Sequence, residues 1–313
     1  MEIHQILTII YGSTQVDCNP IVLYNNSGGD AMLRRNLILL AATVPVMLCA
    51  PALAQNLTND LAASSALEEI KKRGTIRVGF STFVPWAMRN TKGEFIGFEI
   101  DVARKLAEDN EWQLELVPTA WDGIIPALIA GKFDVIIGGM SVTPKRAQTV
   151  NFTIPYAYTA ITMAANKNPA AGMSTIEDFN KPDVTLAVRR GTSSAAWLQE
   201  TFPNAEITYF DSDPLAFQEV LNGNAHGVVT SEPKPSLYTV ANSDTLFLPF
   251  GDQKFNFLPG SFAVRKGDPD FLTFLNSWIQ LHDSNGWLAA KSRYWFESDG
   301  WFGEIDENPF IIK

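Results

Sequence analysis

The sequence predicts an α/β protein made of two similar lobes, and three observations support it. Short strand-like runs alternate with runs whose apolar residues recur at helical spacing, the pattern of layered α/β domains. One run, Phe133-Asp134-Val135-Ile136-Ile137-Gly138, is almost continuously apolar, as in a parallel sheet covered on both faces. After Tyr158 the order of elements starts again, which assigns the rest of the chain to a second unit of the same plan.

The elements follow in order. Residues 67–73 read as a short helix stopped by Gly74, and residues 75–80 alternate as a strand. An extended piece at 95–97 leads into a helix over 98–109, where Ile100, Ala103, Leu106 and Ala107 recur at helical spacing. A strand at 112–117 and a helix at 123–130, ended by Gly131, precede the buried strand at 133–138. In the second unit come an extended piece at 162–165, a helix at 175–179, a strand at 184–188 and a helix at 193–201. A strand at 207–210, a helix at 214–222 and a strand at 227–230 complete it. A last strand at 261–264 and helices at 269–283 and 287–296 close the chain. The joins at 158–161 and 255–261 are candidate hinge strands, so lobe 1 is expected to hold 67–160 plus 256–313 and lobe 2 to hold 161–255.

The N-terminal region reads as a targeting segment. Met32-Leu33-Arg34-Arg35 is positive, residues 36–49 are apolar, and Ala52-Leu53-Ala54 is a small-x-small cleavage site. Residues 32–54 are therefore read as a secretory signal peptide cut after Ala54, and residues 1–31 as an upstream extension. The apolar run is shorter than the roughly 20 residues that span a bilayer. Residues 55–66, polar and rich in Ala and Ser, read as a flexible leader. Both cysteines, Cys18 and Cys49, precede the expected cut, so no disulfide is expected to hold the exported chain. A net charge of −10 over 313 residues argues against nucleic acid or an anionic membrane surface as partner.

Two stretches carry candidate binding chemistry. The first, from Gly138-Gly139 through Ser141 to Arg146, follows the buried strand. Thr143 suits an N-cap and Pro144 the first helical position. That sets Arg146 in a first helical turn, where the dipole disfavours a cation, unless it grips a ligand carboxylate. The second, Arg189-Arg190-Gly191-Thr192-Ser193-Ser194, also leaves a strand and opens a helix, an arrangement suited to an anion. Each reads equally as a plain surface feature; their equivalent places in the two units raise both. Phe80, Phe83, Trp86 and Trp121 lie at or after strand ends, and Phe83 and Trp121 fall in turns where binding residues concentrate. His226 and His282 have no metal-ligand spacing, and neither a Gly-x-Ser-x-Gly elbow nor a phosphate loop occurs. No enzyme, cofactor or metal is expected.

With these motifs in place, the chain resembles the periplasmic polar amino-acid-binding proteins of ABC importers, the family-3 solute-binding proteins. The resemblance spans residues 67–302 and rests on an ordered set of motifs. They are Phe83-Val84-Pro85-Trp86, Gly97-Phe98-Glu99-Ile100-Asp101, the stretch from Trp121 to Leu128, Asn151-Phe152-Thr153-Ile154-Pro155-Tyr156, Arg190-Gly191-Thr192 and Tyr294-Trp295-Phe296. It implies a periplasmic clamp of two α/β lobes on two hinge strands, which closes over an amino acid or related carboxylate and docks on an inner-membrane permease. A monomer is expected. By position, Arg146 would hold the ligand carboxylate, Gly139 and Ser141 would bond it from lobe 1, and Thr192 with the Ser193 backbone from lobe 2. Phe83 and Trp121 would sandwich the side chain, and Phe80 and Arg189 would tune specificity, Arg189 leaving room for a second acidic group. The family's ammonium-binding Asp is replaced by Ser231, with Glu232 beside it, so either Glu232 takes the role or the ligand lacks a free ammonium. A dehydratase on the same fold and a sensory protein are the alternatives.

Overall fold

The computed structural model describes residues 65–298, 300–305 and 310. The upstream extension, the signal peptide and residues 55–64 of the expected leader lie outside them. The leader ends earlier than its composition suggests. Ser65, almost fully buried, caps the helix α1 (Ala66–Arg73) by accepting the Leu67 N–H, and it also donates to Asp268 at 2.8 Å. Glu68 and Glu69 in the first turn and Lys71, Lys72 and Arg73 in the last match the helix dipole, and Gly74 ends it at φ 68°.

The first sheet is built from β1 (Thr75–Phe80), β4 (Gln113–Pro118), β5 (Val135–Ile136), β6 (Asn151–Phe152) and β13 (Ala263–Val264), in the order β4-β1-β5-β13-β6. β1 runs parallel to β4 and β5, while β13 returns antiparallel between β5 and β6. A two-stranded ribbon, β2 (Met88–Arg89) and β3 (Phe95–Ile96), leads to α2 (Phe98–Asp109). The buried face of α2 (Phe98, Val102, Ala103 and Leu106) sits in the main apolar cluster. Each such large apolar side chain contributes about 1.5–3 kcal/mol by leaving water. α3 (Ile124–Ile129) and α4 (Pro144–Ala147) follow β4 and β5.

The strand expected at 133–138 pairs in the ladder only at Val135–Ile136. Before it, Asp134 donates its N–H to the Arg77 carbonyl of β1 at 2.9 Å, and its buried carboxylate takes the Arg73 side chain at 2.5 Å and that of Arg77 at 2.8 Å. After it, Gly139 turns the chain away at φ 63°.

The second sheet contains β7 (Ala157–Asn166), β8 (Thr185–Arg189), β9 (Glu206–Phe210), β10 (Gly227–Ser231) and β11 (Leu246–Phe247), in the order β11-β7-β10-β8-β9, with β12 (Phe255–Gly260) also paired to β7. β8 is parallel to both β10 and β9, as the expected α/β unit requires. α5 (Ile176–Phe179), α6 (Ser193–Thr201), α7 (Asp213–Leu221) and α8 (Lys234–Ala241) accompany it. α8, starting behind Pro233, has no counterpart in the sequence reading; Tyr238 within it stacks on Phe217 of α7 at 3.6 Å between ring centres. α9 (Pro269–Ser284) and α10 (Trp287–Glu297) complete the helices near the C-terminus.

β7 and β12 carry the chain between the sheets. They pair from Phe255↔Ile161 to Gly260↔Ala157, and the far end of β12 meets the first sheet, where Gly260 bridges Ser141 and the Ser261 N–H donates to Met140. Among the described residues, no helix is long and apolar enough to cross a membrane.

Candidate functional site

Three loops of the first sheet converge at the ends of its strands. Behind β1, Phe83 and Ala87 exchange backbone hydrogen bonds at 2.7 and 2.8 Å, closing a short loop that presents the Phe83 ring stacked on Trp86. Behind β4, Trp121 opens a single 3-10 turn, Trp121–Gly123. Behind β5, Gly138 and Gly139 bring the backbone close to the side chains beneath. A Cβ on Gly139 would lie 3.4 Å from Trp86 and 3.5 Å from the Glu99 carboxyl. The Gly139 N–H donates to the Tyr156 hydroxyl, which in turn donates to Glu99 at 2.5 Å. Burial raises the Glu99 carboxyl to about 8, against the Tyr156 hydrogen bond that lowers it.

Thr143 and Pro144 start α4 as expected: the Thr143 hydroxyl accepts the Arg146 N–H at 3.3 Å. Arg146 then folds back toward the cleft. Its guanidinium donates to the Ser141 carbonyl at 2.8 Å and to the Gly191 carbonyl of the second unit at 3.0 Å. Both partners are carbonyls, so its charge meets no carboxylate there. Burial lowers the Arg146 pKa to about 10.

From the second sheet, Arg189 ends β8 and is almost fully buried. It donates to the Ser81 hydroxyl at 2.7 Å and to the Thr82 carbonyl at 3.5 Å, both from the loop after β1. Its Nε is buried without a hydrogen-bond partner. Thr192 caps α6: its hydroxyl accepts from Ala195 at 3.1 Å and donates to the Arg189 carbonyl at 2.8 Å. That hydroxyl is thus committed to the cap, and the Ser193 and Ser194 N–H groups at the start of α6 remain as donors. Ser193 reaches across to share a hydrogen bond with Ser141 at 3.3 Å.

These side chains enclose a cavity of about 30 Å³ lined by Phe83, Trp121, Gly138, Gly139, Ser141, Arg146, Arg189, Thr192, Ser193, Ser194, Thr230 and Ser231. Such a volume holds about two waters, so a larger solute requires the walls to separate. The Arg146 and Arg189 guanidiniums lie 5.7 and 5.8 Å from the Trp121 ring centre, within cation–π range.

Of the eleven site residues expected from the sequence, nine meet in this cavity and two do not. Phe80 is wholly buried in a separate small cluster with Ala87 and Ile100, edge-on to Phe95 at 4.8 Å. Glu232 turns its carboxylate to the Ser236 hydroxyl at 2.9 Å, one helical turn on. Gly138 and Ser194, which belong to the two candidate stretches but were given no role, join the lining, as does Thr230, which was not singled out. Behind it lies a buried ion pair that the sequence reading missed. Lys234 donates to Asp213 at 2.5 Å, Asp213 accepts from Thr230 at 2.9 Å, and Arg189 stands 3.8 Å from the same carboxylate. Burial works to raise the Asp213 carboxyl, but Lys234, Arg189 and Thr230 hold it below its usual value. Burial pushes the Lys234 ammonium down to about 8. The Lys234 ammonium also sits 3.3 Å from the Phe83 ring centre, linking the two sheets. The available signals were faint: Asp213 follows Ser212 at a helix start, and Lys234 sits between two prolines with no element assigned.

The chain matches the model of bacterial extracellular solute-binding proteins, family 3, over residues 76–298. The L-cystine-binding protein TcyJ of Escherichia coli is 27% identical over 234 residues, covering 74% of this chain and 86% of that protein. Cyclohexadienyl dehydratase of Pseudomonas aeruginosa is 25% identical over 237 residues, covering 75% and 88%. The crystal structure of the ancestral amino acid-binding protein AncCDT-1, a precursor of cyclohexadienyl dehydratase, matches with a TM-score of 0.67 at 38% identity, over 74% of this chain and all of that one.

Proposed function

The chain belongs to the bacterial extracellular solute-binding proteins of family 3, and on that premise we propose that it is the periplasmic solute-binding component of an ABC import system. It closes two lobes over an amino acid or a closely related small carboxylate and delivers it to an inner-membrane permease. The observation that carries this reading is the meeting of Arg146 and Arg189, from the two sheets, over Trp121 in one cavity. Two desolvated guanidiniums, a helix start and several hydroxyls form a receptor for carboxylate, and the aromatic rings of Phe83 and Trp121 supply its apolar walls.

Lobe 1 we assign to 67–160 with 256–313 and lobe 2 to 161–255, with β7 and β12 as the hinge. The contacts Arg146–Gly191, Ser141–Ser193 and Arg189–Ser81 support a closed arrangement of these lobes. Export through a signal peptide cut after Ala54 and a monomeric state complete the reading.

A dehydratase reading draws on the Pseudomonas relative. Such chemistry needs a positioned acid in the cleft. None of the residues lining the cavity is a carboxylate, and Glu232 is bonded to Ser236. Binding is therefore the preferred role. The test is calorimetric titration of the purified protein with the common amino acids, their deaminated analogues and small dicarboxylates. Stoichiometric binding of one chemical class without turnover supports the proposal; turnover of a cyclohexadienyl acid in place of simple binding removes it.

A further inference from the structure

The charges around the cavity do not balance. Arg146, Arg189 and Lys234 bring three cations to or just behind its wall, and the buried anion among them is Asp213. Asp213 is closest to Lys234, at 2.5 Å against 3.8 Å for Arg189, and Thr230 takes its other oxygen. Lys234 and Asp213 thus form a neutral unit behind the wall, and both arginines keep their charge. Arg146 bonds to carbonyl oxygens and Arg189 to Ser81 and Thr82. The exposed Asp122 acts on Arg189 only at a distance. A buried guanidinium short of anions is costly: Arg189 shares Asp213, at 3.8 Å, with the nearer Lys234, and its Nε has no hydrogen-bond partner at all.

The two guanidiniums are also placed to act on one molecule. They stand at similar distances from the Trp121 ring, Arg146 carried by α4 and Arg189 by the end of β8. A solute lying against that ring would be within reach of both. We infer that the solute carries two acidic groups, the first held by Arg146 with the start of α6 and the second held by Arg189 with Ser81. This rests on the binding role proposed above and names its ligand class: a small dicarboxylate, whether an acidic amino acid or its amine-free counterpart. A neutral or cationic side chain would leave Arg189 buried with only its share of Asp213. A site built to bond a polar group rejects the analogue that lacks it far more strongly than size alone would.

The test compares matched pairs by calorimetric titration of the purified protein. The pairs are L-aspartate with L-asparagine, L-glutamate with L-glutamine, succinate with butyrate and glutarate with valerate. In at least one pair the diacid is expected to bind about 100-fold more tightly than its partner. In Arg189→Gln that ratio should fall at least tenfold. Arg189→Lys, which keeps the charge but not the fork, should lie between. If Arg189→Gln does not fold, the wild-type ratios decide alone. Tight binding of single-acid solutes, lost in Arg146→Ala, would overturn the two-acid inference and leave the binding role standing. Silence from every pair and from all other common amino acids would remove the binding role itself.

Discussion

The Arg146 guanidinium spans the cleft, donating to Ser141 on its own side and to Gly191 on the other, at 2.8 and 3.0 Å. One side chain therefore both closes the walls and offers its charge to whatever lies between them. A carboxylate on Arg146 would gain a charge-assisted bond that its two neutral carbonyl partners do not supply.

Arg146→Ala should abolish measurable binding, a loss of at least about 100-fold, because the donors left beside it, Ser141 and the start of α6, are uncharged. The side chain is only partly buried and the residue is outside the core clusters, so the thermal midpoint should move by no more than a few degrees. Calorimetry and a thermal melt on the same sample check both halves.

Asp213 and Lys234 should be strongly interdependent. Their side chains are 5% and 2% exposed, so Asp213→Asn or Lys234→Met alone strands a buried charge and should cost about 3 kcal/mol or more in urea unfolding. Removing both should cost less than the two losses added together. Equal, additive losses would show that the pair does not act as a unit.

Glu99 predicts a pH dependence. Burial raises its carboxyl from 4.5 to about 8, so between those values the native protein keeps a proton that the unfolded chain has released. Stability contributed by this group is complete below pH 4.5 and falls as pH rises toward 8. Glu99→Gln should flatten this decline. The comparison is the midpoint of denaturant unfolding at several pH values; a wild-type profile with the same slope as the variant would reject the assignment.

The amine preference of the site should be open to change at Ser231. It lines the cavity, whereas the Glu232 carboxylate accepts from Ser236. Glu232→Gln should alter affinity less than about threefold for any ligand, amine-bearing or not. Ser231→Asp, which supplies the anion the family carries there, should shift preference toward amine-bearing ligands by about tenfold, the worth of one charge-assisted hydrogen bond. Competition between an amino acid and its deaminated analogue measures the shift.

What the sequence determined by itself was local or periodic. Strand and helix order, the Gly74 stop, the Thr143 cap and the two helix starts that flank the cavity all depend on neighbours a few residues apart. Nine of the expected site residues meet because they sit at the ends of parallel strands, where α/β folds concentrate their ligand contacts. Only the tertiary structure decided the rest. Phe80 and Phe83 are three residues apart, yet one faces a closed cluster and the other the cavity. Glu232 pairs within its own turn, while Asp213 and Lys234, 21 positions apart and carried by two helices, form the buried ion pair behind the site. Which charges are neutralised, and which stay open to a ligand, depends on distances between residues remote in the chain. Those distances are set by how the two sheets and their helices pack.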